Sequence, residues 1–101
     1  MVPVTRSRLA GVDLFEILGE LDSKDSARAT RYAILFDEKI EALSRFPEMG
    51  RPRPEFGADV RSTLVKPYVL FYRFLGESVQ VLRVIHGKRD LKRLMDEGED
   101  E

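Results

Sequence analysis

The sequence predicts an α+β domain, with a two-helix hairpin packed on one face of a small antiparallel sheet in the order β-α-α-β-β-β and a short C-terminal helix. Three observations carry this reading. Residues 8–45 place apolar side chains at helical spacing with one interruption. Residues 60–86 are rich in Val, Ile, Phe and Tyr and are broken only by turn residues. The two regions are not interleaved, so the helices pack as a pair and the strands form a meander.

Taken in order, residues 2–6 alternate weakly and form a short first strand, with Pro3 suited to a strand start or an edge. Ser7 stands as an N-cap. From Arg8 the pattern turns helical: Leu14, Ile17, Leu18 and Leu21 share a face, while Asp13, Glu16 and Glu20 lie away from it and read as solvent-facing carboxylates. Asp22-Ser23 ends this helix and caps the next. The second helix, about residues 24–45, carries the stripe Ala29, Tyr32, Ala33, Phe36, Ile40 and Leu43. Ile34 and Leu35 fall off that stripe, leaving surplus apolar surface of the kind that marks a partner site or wraps the edge of a core.

Pro47 stops the helix, because the residue before a proline disfavours the α region. From Phe46 to Gly57 the chain holds three prolines and two glycines and reads as an ordered loop. Val60–Val65 is the next strand, followed across Lys66-Pro67 by a hairpin that turns at Gly76-Glu77-Ser78. Strict alternation puts Val69, Phe71, Arg73 and Leu75 on one face of its first strand, with Tyr68, Leu70, Tyr72 and Phe74 on the other. In its second strand Val79, Val81, Arg83 and Ile85 stand opposite Gln80, Leu82, Val84 and His86. The first strand must join this sheet beside a non-sequential neighbour. Leu91, Leu94 and Met95 permit the terminal helix, so the domain covers residues 1–95 and residues 96–101 form an acidic, disordered tail.

With 101 residues the chain is one domain with one modest core. It has no cysteine and one histidine, which removes disulfides, thiolate chemistry and Cys/His zinc sites. No Gly-x-Ser-x-Gly stretch and no glycine-rich phosphate loop is present, and neither a cofactor nor a metal is expected. No apolar run suits a membrane span or a signal peptide, so the expected location is the cytoplasm. The net charge of −1 hides an asymmetry: residues 1–50 carry −2, residues 51–93 carry +6 and residues 94–101 carry −5. A basic sheet half suits an anionic partner. Helices cover one side of the sheet, and the other displays Arg73 or Arg83, with Arg61, His86, Lys88 and Arg89 near the strand ends. Guanidinium groups there would bind phosphate or carboxylate bidentately, or form internal salt bridges. His86 would serve as an acid or base, or as a cap of the turn that follows it.

Four stretches in sequence, Phe46-Pro47-Glu48-Met49-Gly50-Arg51-Pro52, Val60-Arg61-Ser62, Tyr68-Val69-Leu70-Phe71-Tyr72-Arg73 and Val84-Ile85-His86-Gly87-Lys88-Arg89-Asp90, resemble the ParE branch of the RelE/ParE toxin superfamily. The resemblance covers nearly the whole chain. It implies the toxin of a type II toxin–antitoxin module, neutralised by a cognate ParD-like antitoxin and reaching operator DNA only through that antitoxin. ParE-like members inhibit DNA gyrase with no turnover of their own. RelE-like members cleave mRNA in the ribosome with basic residues and a tyrosine after the last strand. On that alternative Arg61, Arg73 and Arg89 would hold phosphate and His86 would move a proton, but the tyrosine position falls at about Met95, which departs from the nuclease pattern. A third class is an attenuated toxin acting as an antitoxin-binding corepressor. The contacts expected for target binding are Arg61, Arg73, Arg83, His86, Lys88 and Arg89; those for the antitoxin are Phe15, Ile34 and Leu35.

Overall fold

The computed structural model describes residues 1–91. Residues 92–101, on which the sequence reading places Leu94, Met95 and the acidic tail, lie outside them. The elements are β1 (Val4–Arg6), α1 (Arg8–Lys24), α2 (Ser26–Arg45), β2 (Arg51–Pro52), a 3-10 turn (Pro54–Phe56), β3 (Val60–Val65), β4 (Tyr68–Phe74) and β5 (Val79–His86). Residues 87–91 are helical, in line with the expected short C-terminal helix. The sheet order is β1-β5-β4-β3-β2. Among the described residues no helix is long and apolar enough to cross a membrane.

α1 starts at Ser7, whose hydroxyl accepts the Ala10 N–H at 3.0 Å. It does not stop at Asp22-Ser23. The Ser23 hydroxyl donates to the Glu20 carbonyl at 2.7 Å, which keeps both residues within the helix, and the break falls at Asp25. Asp25 is extended, its N–H closes α1 onto Leu21, and its carboxylate accepts the Arg28 N–H at 3.2 Å to open α2. One residue therefore makes the whole turn of the helical hairpin.

β1 lies beside β5, the non-sequential neighbour, but runs parallel to it, with Val4 level with Val79 and Arg6 with Val81. The sheet is therefore mixed rather than wholly antiparallel. Its direction follows from α1, which leaves β1 at once and has its N-cap fixed to β5: Ser7 donates its N–H to Val81 and its hydroxyl to the Leu82 carbonyl. The loop reading of residues 46–57 is modified by β2, which pairs Arg51 with Ser62 and Pro52 with Arg61.

Strict alternation fails in β5. Phe71 pairs with Arg83 while Tyr72 pairs with Val81, so Leu82 is an extra residue in a β-bulge. After it the faces exchange. Val79, Val81 and Val84 join Leu70, Tyr72, Phe36 and Leu43 in the core beneath the helices. Ile85 and the partly buried Leu82 join Val69, Phe71 and Val60 on the opposite side, with Phe56 and Leu91 packed over them. That second face is not open; Phe71 is 2% exposed.

Candidate functional site

The expected target-binding cations fall into separate groups. Arg61 and Arg73 lie toward one end of the sheet, in register with Tyr72 and Gln80 respectively. His86 lies toward the other end, paired with Tyr68. Arg73 stands five residue steps along the strand from Tyr68, about 17 Å at the usual rise.

At the first end Arg61 is a structural clamp. Its guanidinium donates to the Glu48 carbonyl at 3.0 Å and the Gly50 carbonyl at 2.8 Å. Tyr72 holds the same loop, donating to the Pro47 carbonyl at 2.8 Å and accepting the Gly50 N–H at 2.9 Å. Burial pushes the Tyr72 phenol above its ordinary pKa, and the Gly50 N–H opposes that shift. The Phe46–Gly50 stretch is thus rigid, yet it leaves Phe46 63% exposed. Arg73 runs over the neighbouring turn, 3.9 Å from where a Cβ on Gly57 would stand. Among the described residues it forms no ion pair or hydrogen bond.

Arg53 was not among the expected site residues. Its guanidinium lies 5.4 Å from the Phe56 ring centre and 5.3 Å from that of Phe71, while bonding Glu55 and Ser62. The Glu55 carboxyl is held below its usual pKa by its own backbone N–H first and by Arg53 second. Arginine spacing around a Pro-rich loop gave no sign of this stack.

At the other end, Arg83, His86 and Arg89 line one cleft of about 140 Å³, together with Asp13, Glu16, Glu20 and Asp90. Asp13 is not a solvent-facing carboxylate as expected. Its side chain is 12% exposed and forms a two-point salt bridge with Arg83, Oδ2 to Nε at 2.9 Å and Oδ1 to the second nitrogen at 3.2 Å. Asp13 Oδ2 also accepts the Val84 N–H at 2.9 Å. β1 ends level with Val81, so the outer edge of β5 beyond it would otherwise be unpaired; Ser7 and Asp13 satisfy it.

His86 caps the 87–91 helix. Its Nδ1 accepts the Arg89 N–H and its own N–H donates to Asp90 Oδ2, both at 3.2 Å, a reciprocal pair of the capping-box type. In this arrangement Nδ1 is engaged by the cap. Arg89 lies 4.0 Å from Glu20, and Lys88 is exposed. A phosphate entering this cleft would meet four carboxylates as well as the cations.

The apolar positions expected for antitoxin contact are all at the surface: Phe15 is 81% exposed, Ile34 53% and Leu35 40%. Phe15 precedes Asp25 by ten residues and Leu35 follows it by ten, which puts them level in the hairpin, about 15 Å from its turn.

A helix pair packed on a mixed sheet is a fold shared with chains of solved toxin–antitoxin structures. A chain from "Chromosomal ParDE TA system from P. aeruginosa" superposes with a TM-score of 0.71 and 25% identity, over 85% of this chain and 96% of the other. A chain of the toxin-antitoxin complex RelBE2 from Mycobacterium tuberculosis superposes with a TM-score of 0.55 and 27% identity, over 84% of this chain and 96% of the other. The protein is a toxin of the RelE/ParE superfamily. Within it, residues 4–91 match the model of the ParE toxin of the type II toxin–antitoxin system parDE, and the chain belongs to that family. It is 29% identical to Toxin ParE3 of Caulobacter vibrioides over 89 residues, 87% of this chain and 89% of that protein.

Proposed function

We propose that this toxin inhibits DNA gyrase by binding, without turnover of its own, and that a cognate ParD-like antitoxin neutralises it. Membership of the ParE family supports the reading, and the observation that carries it over RNA cleavage is the dispersal of Arg61, Arg73, His86 and Arg89, the residues expected of a nuclease. Arg61 is spent on the 46–50 loop, Arg73 stands about 17 Å along the strand from the His86 level, and His86 is spent on a cap. An endonuclease needs cations and a proton carrier within reach of one phosphate. Lys88, Arg89 and Arg73 are the target contacts of this proposal; Arg61, Arg83 and His86 hold the surfaces that present them. Two of the similar solved structures are named as toxin–antitoxin systems, which supports an antitoxin partner here. Phe15, Ile34 and Leu35 on the outer side of the helix pair are its proposed seat, as the apolar stripe of an amphipathic segment would find them.

Purified gyrase, relaxed plasmid and the toxin test this directly. Supercoiling falls as toxin is added, and pre-mixed antitoxin restores it. Unaltered supercoiling, together with cuts at codon positions in mRNA from induced cells, would replace the reading with the ribosome-dependent one.

A further inference from the structure

The end of the molecule opposite the 46–50 loop gathers cations from three chain segments. Arg28 and Arg31 of α2 lie over the Tyr32 ring, 6.0 and 5.8 Å from its centre. The Tyr32 hydroxyl donates to the Lys66 carbonyl at 2.9 Å, which fixes the β3–β4 turn beside α2. The Gly87 N–H donates to the Pro67 carbonyl, also at 2.9 Å, which fixes the 87–91 helix beside that turn. Gly87 allows this close approach, since a Cβ there would lie 3.3 Å from the Pro67 oxygen. The result is one surface bearing Arg28, Arg31, Lys66, Lys88 and Arg89, all exposed.

It is only partly neutralised. Among the described residues only Arg89 of the five forms an ion pair, the exposed contact with Glu20 at 4.0 Å. Asp25 and Asp90 are nearby and accept the Arg28 and His86 backbone N–H groups, which leaves their negative charges to offset part of the five positive ones. The exposed large apolar side chains nearest to these cations are Ile34, one turn beyond Arg31 on α2, and Leu64, two residues before Lys66. A protein partner needs apolar anchors, whereas a phosphate backbone needs only positioned charge.

We propose that this surface binds the phosphate backbone of duplex DNA directly, in addition to any DNA contact made through an antitoxin. The claim goes beyond gyrase inhibition and is tested with gyrase absent. The net charge of −1 makes the binding local, set by the field of this end and not by the molecule as a whole.

The experiment follows the anisotropy of a short labelled duplex of arbitrary sequence as the full-length toxin is added, at several salt concentrations. About four phosphate contacts imply a loss of roughly a hundredfold in affinity as salt rises fourfold. Replacing Arg28, Arg31, Lys66 and Lys88 by Gln reduces the log–log salt slope by roughly 3 to 4. The same number of exposed charges removed at Arg6, Arg8, Arg45 and Arg51 leaves the slope unchanged. Thermal unfolding followed by circular dichroism checks that each variant is folded. Should the fourfold variant not fold, Lys88→Gln and Arg31→Gln singly each remove about 0.9 from the slope. Three results overturn the proposal: no salt-dependent binding, an equal loss in the Arg6, Arg8, Arg45 and Arg51 control, or equal displacement of the duplex by polyglutamate of matched charge.

Discussion

Gly50 has no room for a side chain. A Cβ there would stand 2.6 Å from the Tyr72 hydroxyl and 2.8 Å from the Ser62 carbonyl oxygen, the second of which is backbone. Neither can yield cheaply, because the Tyr72 hydroxyl is fixed between Pro47 and Gly50, and Ser62 is in the β2–β3 ladder. Gly50→Ala is expected to cost about 2–3 kcal/mol of stability, read as a fall in the urea midpoint; an unchanged midpoint would mean that the loop has slack. Asp13 and Arg83 give a second prediction. They are 70 residues apart in sequence, so no local pattern betrays the pair, and Asp13 reads as one more carboxylate on a polar helix face. Asp13→Ala removes two bonds to a guanidinium and the acceptor of the Val84 N–H, an expected loss of about 2–3 kcal/mol. A double-mutant cycle with Arg83→Met is expected to show about 1 kcal/mol or more of coupling, and additive losses would deny the pair that role.

At the scale of elements, what was legible is what depends on local period. The α2 stripe predicts the buried Ala29, Tyr32, Phe36 and Leu43, and the hairpin turn at Gly76 is where its φ of +86° needs glycine. What was not legible is the bulge, because alternation carries no mark of an extra residue. Its cause is non-local: Leu82 sits where β1 ends and Ser7 takes over the outer edge of β5. The Asp22-Ser23 break misled for a related reason, since serine inside a helix can bond back to its own turn and continue it. The helix pair also bears its own prediction. Phe15 and Ile34 contribute to no described core cluster, so Phe15→Gln and Ile34→Gln are expected to change stability by less than about 0.5 kcal/mol. If the antitoxin seats on them, the same changes raise its Kd by tenfold or more, each a loss above about 1.4 kcal/mol. Titration calorimetry with the antitoxin decides; unchanged affinity removes this face from the interface.

For the whole molecule, the number and order of layers were legible, but not the way the two layers are joined. Two tyrosines of β4 make that joint. Tyr68 packs edge-on to Tyr32 of α2 with ring centres 5.6 Å apart, and Tyr72, fully buried, holds the loop that leaves α2. Burial raises both phenol pKa values above the usual 10.0, with the Tyr32 phenol adding to the shift at Tyr68. Between the unfolded and folded values the unfolded chain has lost the proton and the folded chain has kept it. The stability contribution is therefore fully present below about pH 10 and falls as pH rises through the raised folded pKa values, by up to about 1.4 kcal/mol per pH unit for each phenol. The ionised Tyr72 oxygen could no longer donate to the Pro47 carbonyl, so the loop is expected to loosen as the core does. Urea midpoints from pH 8 to 11, converted to free energies, should decline in the alkaline limb, and Tyr72→Phe should be less stable at pH 8 yet decline less steeply above pH 10. Lysine deprotonation contributes equally to both proteins, so the difference in slope isolates the phenol. Parallel alkaline limbs would show that Tyr72 does not couple the pH to the joint between helices and sheet.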